Sequence, residues 1–466
     1  CVCTVPTNSQ PPFCKMSRIV RQSKFRHVFG TANKKEFTYD NVKVSKSAWD
    51  SNKVKGNGTF VGIMWEARGG GSFAVLPNEQ FGKVPADQGL VTGHKGAVLD
   101  IDFNPFNDHV VGSVSEDGNA RIWLIPEGGL GKSNLNDPAQ NLIGHRRKVG
   151  TIDFNPTANN VVATSSADMT VKVWDITTGD AKLTIGNHTD IITCAAWNRN
   201  GSLVGTTCKD KKARIFDPRS GNVTLDVVAH AGVKGMRCTF LGDRELFATV
   251  GFGKTSDRQL AIWDARAAGE PLHLSTIDTA SGILMPFYDN DTGIFFLGGK
   301  GDGNIRYYEI VNDSKLIYYI SEYKSATPQL GMALRPKTAC DVSKCEVVAV
   351  LKACVSHVEP ISFQVPRKSE LFQDDIYPPT AGPTPGVQAD GWFAGQTGEP
   401  VLVSLEGGFV PPERPAFEVA EVKAVDDGPQ TEAELRKAYE DLKNRVAYLE
   451  VELSKKDLEI QQLRGQ

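Results

Sequence analysis

Two sets of residues have the composition of a serine-activating centre: His94 with Ser115 and Asp117, and His145 with Ser166 and Asp168. A histidine held by a carboxylate beside a hydroxyl can take the hydroxyl proton and create a nucleophile. The same order recurs too regularly for an active site. An acidic residue follows each His by about 23 positions and an aromatic residue stands six beyond it, as in His94–Asp117–Trp123 and His145–Asp168–Trp174. His188, Asp210 and Phe216 form a third set with Cys208 in the serine position, while Asp302 and Tyr308 keep only the second half. A catalytic constellation occurs once in a fold. Repetition at a fixed spacing points instead to a structural relay, in which His, Ser, Asp and Trp tie neighbouring strands together. With Cys208 and Phe216 in place, the third relay is expected to be broken.

Other chemical motifs fail on their surroundings. Residues 248–255 satisfy the relaxed phosphate-loop pattern. That chemistry requires a helix after the Lys-Thr pair, with its N-terminus meeting the phosphates. The sequence continues instead as Gln-Leu-Ala-Ile-Trp-Asp over residues 259–264, a strand pattern. Residues 128–133 fail as well, because Pro126 stands where the first small residue should be. The nine cysteines are odd in number and contain no CxxC pair. They read as reduced thiols of a cytosolic protein, not as a disulfide framework or zinc site. No catalytic residue, cofactor or metal is expected, and the chain reads as a non-enzyme.

The elements that must position the relays are short β-runs separated by Gly, Asn and Asp turns, such as residues 98–103, 110–115 and 120–123. A period of roughly 40–45 residues with a Gly-His start and a Trp-Asp end is the signature of WD-repeat propeller blades. The expected fold is all-β: a propeller of about seven blades over residues 16–365, built by radial repetition as one domain. In the later blades, around residues 260–263 and 305–308, the His positions read as lost. Residues 366–412 read as a C-terminal extension packing on the propeller, and 413–430 as a variable, proline-bearing linker. Residues 1–15 lack the charged and apolar regions of a signal peptide; with Met16 read as the natural start, they form a flank without a role in the fold. A net charge of −3 and a pI near 6.3 exclude a global basic field for nucleic acid. No apolar run of some 18 residues suggests a transmembrane segment.

Residues 431–466 read as a coiled coil. Thr431 and Glu434 form a capping box after Pro429. Tyr439, Val446, Leu453 and Ile460 then fall at heptad position a, with Leu435, Leu442, Leu449 and Leu463 at d. Lys456 weakens one d layer. β-Branched residues at a with Leu at d lean towards two strands. Against this, Arg445 at g and Glu450 at e flank Val446 and Leu449, so Arg445 can reach Glu450 of a neighbouring helix and cover the seam with its stem. That arrangement resembles a known short trimerisation motif, and a homotrimer is expected before a dimer.

Several runs are specific enough to carry a family resemblance. Residues 23–30 (Ser-Lys-Phe-Arg-His-Val-Phe-Gly), Trp49-Asp50-Ser51, residues 69–73, 209–214, 284–289 and 299–308, and Val365-Pro366-Arg367-Lys368 are similar to those of the coronins. The resemblance spans residues 16–466 and implies a short coronin: propeller, extension, linker and coiled coil. It implies a cytoplasmic regulator at the cytoskeleton and cell cortex that binds actin filaments through the propeller, acts on the actin-branching complex through its tail, and cooperates with cofilin. It also implies a filament-binding role for the basic position before Trp-Asp-Ser, here Lys43 where the family often has Arg. Independently, an acidic partner directs attention to two basic clusters. One is Arg18, Arg21, Lys24 and Arg26; the other is Lys209, Lys211, Lys212 and Arg214. The alternative from another class is a propeller adaptor that docks peptides for a non-actin complex.

Overall fold

The computed structural model describes residues 22–67, 70–367, 371–410 and 417–420, with positions 436, 439, 440, 443, 444, 446, 447 and 456. The chain divides into two compact units, Cys1–Glu418 and Val419–Gln466.

In the first unit, seven antiparallel blades follow one another around a ring. Blade 1 contains the strands Val54–Gly56, Phe60–Trp65 and Ser72–Pro77, with Val91 bridging to Phe73 at its edge. Blades 2 to 6 have four strands each and span residues 98–142, 149–185, 192–228, 237–278 and 284–324. In blade 7, Gly331–Leu334, Glu346–Ala353 and His357–Gln364 are joined by N-terminal strands: Phe29 pairs with Gln364, Ala32 with Ile361, and Tyr39 with Val358. The ring is thus closed by main-chain hydrogen bonds between two distant parts of the unit, which removes the open edges that a fan of sheets would leave.

The first strand of each blade touches the first strand of the next, so these strands line the axis. Second strands lie between neighbouring sheets, which explains their runs of small and β-branched residues. Val110–Ser115, Val161–Ser166 and Ile294–Gly299 are buried throughout. Gly112 lets blade 3 approach; a Cβ there would sit 2.5 Å from Ile152 Cδ1. The outermost strands are largely exposed, as in Asp180–Ile185. Alternation of strand direction gives the ring two ends. The upper end carries the turns between second and third strands and the links between blades; the lower end carries the turns between first and second strands.

Residues 371–410 lie against the lower end. A two-strand ribbon, Thr380–Ala381 with Leu402–Val403, is followed in space by the short helix Ala389–Phe393. Trp392 of that helix is fully buried against Trp197, and its Nε1 donates to the Gly201 carbonyl at 2.9 Å. A cavity of about 920 Å³ opens between the lower turns and this extension, with Arg335, Lys337, Asp289 and Tyr288 among its lining residues.

In the second unit the described positions from 436 onward are helical, and Tyr439 and Val446 are 68% and 52% exposed in the single chain. The remaining oligomerisation residues, Leu442, Arg445, Leu449, Glu450 and Leu453, lie outside the described residues, as do residues 1–15 and the linker from 421 to 430. No helix among the described residues is long and apolar enough to cross a membrane.

Candidate binding surfaces

The repeated His-Asp-Trp sets form buried relays at the upper end. His94 Nδ1 meets Asp117 Oδ2 at 3.0 Å, while Nε2 meets Ser113 Oγ at 2.8 Å; the same hydroxyl accepts from Trp123 Nε1 at 2.8 Å. Blade 3 repeats this with His145, Asp168, Thr164 and Trp174, the distances being 2.9, 2.8 and 2.8 Å. The joining hydroxyl is therefore not Ser115 or Ser166, as the sequence suggests, but the residue two positions earlier on the same face of the strand. Ser115 instead donates to the Gly96 carbonyl and accepts from Asp117 N, and Ser166 caps its turn in the same way. Burial acts to raise the Asp117 carboxyl, but hydrogen bonds from His94, Lys95 N and Asn119 N outweigh it and hold it at about 2. Each His is fully engaged between a carboxylate and a hydroxyl that also holds Trp, leaving no activated nucleophile open to a substrate.

The later sets depart in instructive ways. In blade 4, His188 still meets Thr206 Oγ1 at 2.9 Å, but its Nδ1 has no hydrogen-bond partner among the described residues. Asp210 has turned to Arg214, 2.6 Å away, so the relay is cut in half. Burial, aided by the Arg214 charge, pushes His188 down to about 4. In blade 5 the His position is not lost: His230 Nε2 meets Thr249 Oγ1 at 3.1 Å, and Trp263 donates to the same hydroxyl. Its spacing disguised it. Trp263 follows its hydroxyl residue by 14 positions, against 10 in blades 2 and 3, because the turn and strands between them are longer. Blade 6 has no such histidine contact: its turn aspartate, Asp302, is met at 2.7 Å by buried Arg258 from the third strand of blade 5, which also binds Asp278 of its own blade at 2.5 and 2.6 Å.

Residues 45–53 fold over the axis at the upper end. Trp49 Nε1 donates to Gly150 O of blade 3 at 2.7 Å. Arg237 of blade 5 reaches Asp50 O and Asn52 Oδ1, and Lys300 of blade 6 reaches Asp50 Oδ1 at 2.9 Å. Below this strap the inner strands carry a charged network, with Lys55 on Asp102 at 2.9 Å and Asp153 accepting from Trp197 N at 3.0 Å. Burial, with Asp102 as a neighbouring like charge, pushes Asp153 up to about 8 against the pull of Lys55.

The basic candidates separate under the fold. Lys24 and Arg26 are exposed near the lower end, where Lys24 donates to the Asp375 carbonyl; Arg18 and Arg21 lie outside the described residues. Lys43 is exposed at the upper end between blades 7 and 1, its carbonyl accepting from Glu66 N. The second cluster divides internally. Arg214 is 3% exposed and committed to Asp210 and Asp226, so it cannot present its guanidinium to a partner. Lys212 pairs with Asp226 at 3.0 Å. Lys209 and Lys211 make no ion pair among the described residues. Arg214 falls within the continuous buried run of its strand, whereas in the turn Lys209 is exposed and Lys211 half-buried.

Fold and relays together define a WD-repeat propeller protein. The family profile described as "WD domain, G-beta repeat" matches residues 87–123, 136–175 and 179–217; "Type of WD40 repeat" matches 358–400, and "Domain of unknown function (DUF1899)" matches 18–83. Coronin-A of Dictyostelium discoideum is 54% identical over 96% of this chain and 100% of its own length. Coronin-2A of Homo sapiens is 41% identical over 85% of this chain and 78% of its own. The crystal structure of the WD40 domain from Toxoplasma gondii coronin aligns with a TM-score of 0.77 at 30% identity, covering 82% of this chain and 98% of that one. The chain belongs to the coronin family.

Proposed function

We propose that this chain is a non-enzymatic, actin-filament-binding regulator of cortical actin dynamics. The observation that carries the reading is the full-length similarity to Coronin-A, which includes the repeats and the tail. The uncommitted cations at the upper end, Lys43, Lys209 and Lys211, suit an acidic filament. Through residues 431–466 the chain assembles as a homotrimer, and the outward-facing Tyr439 and Val446 are the kind of apolar surface a neighbouring helix covers. Three weak propeller contacts then act together on one filament, and avidity multiplies their affinity. The tail also acts on the actin-branching complex, and the filament-bound protein cooperates with cofilin.

Co-sedimentation with actin filaments, comparing the full chain with one ending at Gly428 across a salt series, tests this reading. Pelleting that weakens with salt and drops on tail removal is expected. No pelleting of either chain at low salt would refute it and favour a peptide-docking adaptor.

A further inference from the structure

Two buried cysteines meet across the seam between blades 4 and 5. Cys194 lies on the first strand of blade 4, Ile192–Trp197, and Cys238 on the first strand of blade 5, Arg237–Phe240; these strands touch. Each thiol points into the other's blade. Cys194 Sγ is 3.8 Å from the Cys238 carbonyl oxygen, and Cys238 Sγ is 3.8 Å from the carbonyl oxygen of Gly205 in the second strand of blade 4. Hydroxyls fix the spacing of the two blades beside them: Thr193 Oγ1 and Thr207 Oγ1 both donate to Met236 O, at 2.8 and 2.9 Å. Both cysteines are free thiols and share one apolar cluster with Met236 and Phe247.

Their surroundings set them apart from the other thiols. Arg237 precedes Cys238 and spends its Nη atoms on Asp50 O and Asn52 Oδ1, while its buried Nε has no hydrogen-bond partner among the described residues. A hydrogen bond from the Cys238 thiol, with the Arg237 charge, lowers the Cys194 thiol against the effect of burial. Burial and the donation to Cys194 push Cys238 up. Asp153 nearby keeps its proton to about pH 8 and so adds no opposing charge at neutral pH. Burial pushes Cys208, Cys340 and Cys354 up as well. A thiolate held beside a protonated thiol is the arrangement of a dithiol that oxidises in two steps. At 5% and 4% exposure the pair admits a water-sized oxidant and excludes a bulky one.

We infer that Cys194 and Cys238 form a redox-active dithiol, which hydrogen peroxide converts to a disulfide joining blades 4 and 5. The Cys194 thiolate attacks one peroxide oxygen and the O–O bond breaks. Hydroxide leaves and takes up the proton that Cys194 gave to solvent, so one water forms and Cys194 becomes a sulfenic acid. The Cys238 sulfur then attacks the Cys194 sulfur, and the displaced hydroxyl departs with the Cys238 proton as a second water. The two sulfurs lose two electrons and the peroxide gains them.

The full chain, treated with hydrogen peroxide, alkylated in denaturant and digested with trypsin, tests this. A peptide of residues 183–199 joined to residues 238–244 is expected, and reduction should abolish it. The Cys194 thiol should disappear at least about tenfold faster than that of Cys354. In Cys238→Ser, with its melting temperature measured alongside, the reaction should halt at a sulfenic acid on Cys194 that dimedone traps. A folded, peroxide-treated parent chain without the linked peptide overturns the inference. So does a parent chain in which Cys354 is oxidised as fast as Cys194.

Discussion

Thr164→Val is the sharpest probe of the relays, because it removes one hydroxyl and almost no volume. Thr164 is fully buried, and its Oγ1 serves both His145 Nε2 and Trp174 Nε1 at 2.8 Å. Valine leaves both ring nitrogens without that partner in a site closed to water. Each orphaned group costs about 1–3 kcal/mol, partly offset by the extra apolar methyl, so the loss should be about 3 kcal/mol. Blade 4 supplies an internal control. Thr206 is equally buried but meets only His188, since Phe216 stands where Trp would donate. Thr206→Val should therefore cost only about 1–2 kcal/mol. Ser166→Ala, which touches the turn and not the relay, should fall in the same lower range. Equilibrium denaturation followed by tryptophan fluorescence reads the three midpoints. Equal losses for Thr164→Val and Thr206→Val, or a larger loss for Ser166→Ala, would refute the relay as described.

Three further outcomes are expected. Arg258→Met leaves Asp278 and Asp302 facing one another without their shared cation and should cost about 3–5 kcal/mol; adding Asp302→Asn should recover part of the midpoint, and no recovery would argue against charge as the cause. For Asp153, the folded carboxyl keeps its proton to about pH 8, whereas the unfolded one releases it near 3.8. The unfolded state then binds fewer protons across that window, so this group makes stability decline as pH rises from about 4 to 8; Asp153→Asn should flatten the decline, and an unchanged pH profile would refute the assignment. Trp392→Ala should cost the docked extension about 3–5 kcal/mol of burial; hydrogen exchange should rise in residues 380–403 and stay low in the second strands of blades 3 and 4, and equal rises in both would contradict local undocking.

The propeller class was legible because the relay is a local device. His, Asp and Trp recur at nearly constant spacing when each blade is one repeat of the same supersecondary unit, so periodicity alone reveals them. His230 escaped that reading because four extra residues between Thr249 and Trp263 break the spacing without breaking the geometry. The partner of Asp302 escaped it because a guanidinium from the neighbouring blade, Arg258, meets that carboxylate instead of a histidine at the usual spacing.

Cross-strand register lay beyond sequence reasoning. Ser113 and Ser115 share a face and a side-chain type, and only the pairing of their strand decides which lies between His94 and Trp123. The same holds for basic residues: composition groups Lys209, Lys211, Lys212 and Arg214, while burial and ion pairing leave only the first two uncommitted. Sequence by itself determined the repeating unit, the His, Asp and Trp posts of blades 2 and 3 and the heptad pattern of the tail, since each is written within about 45 residues of chain. Tertiary structure alone decided how the ring closes, with Phe29–Ala32 pairing onto His357–Gln364, and where Trp392 docks, at Gly201. Such contacts join segments far apart in the chain, so they follow from the complementarity of assembled surfaces and leave no periodic trace in the residues that make them.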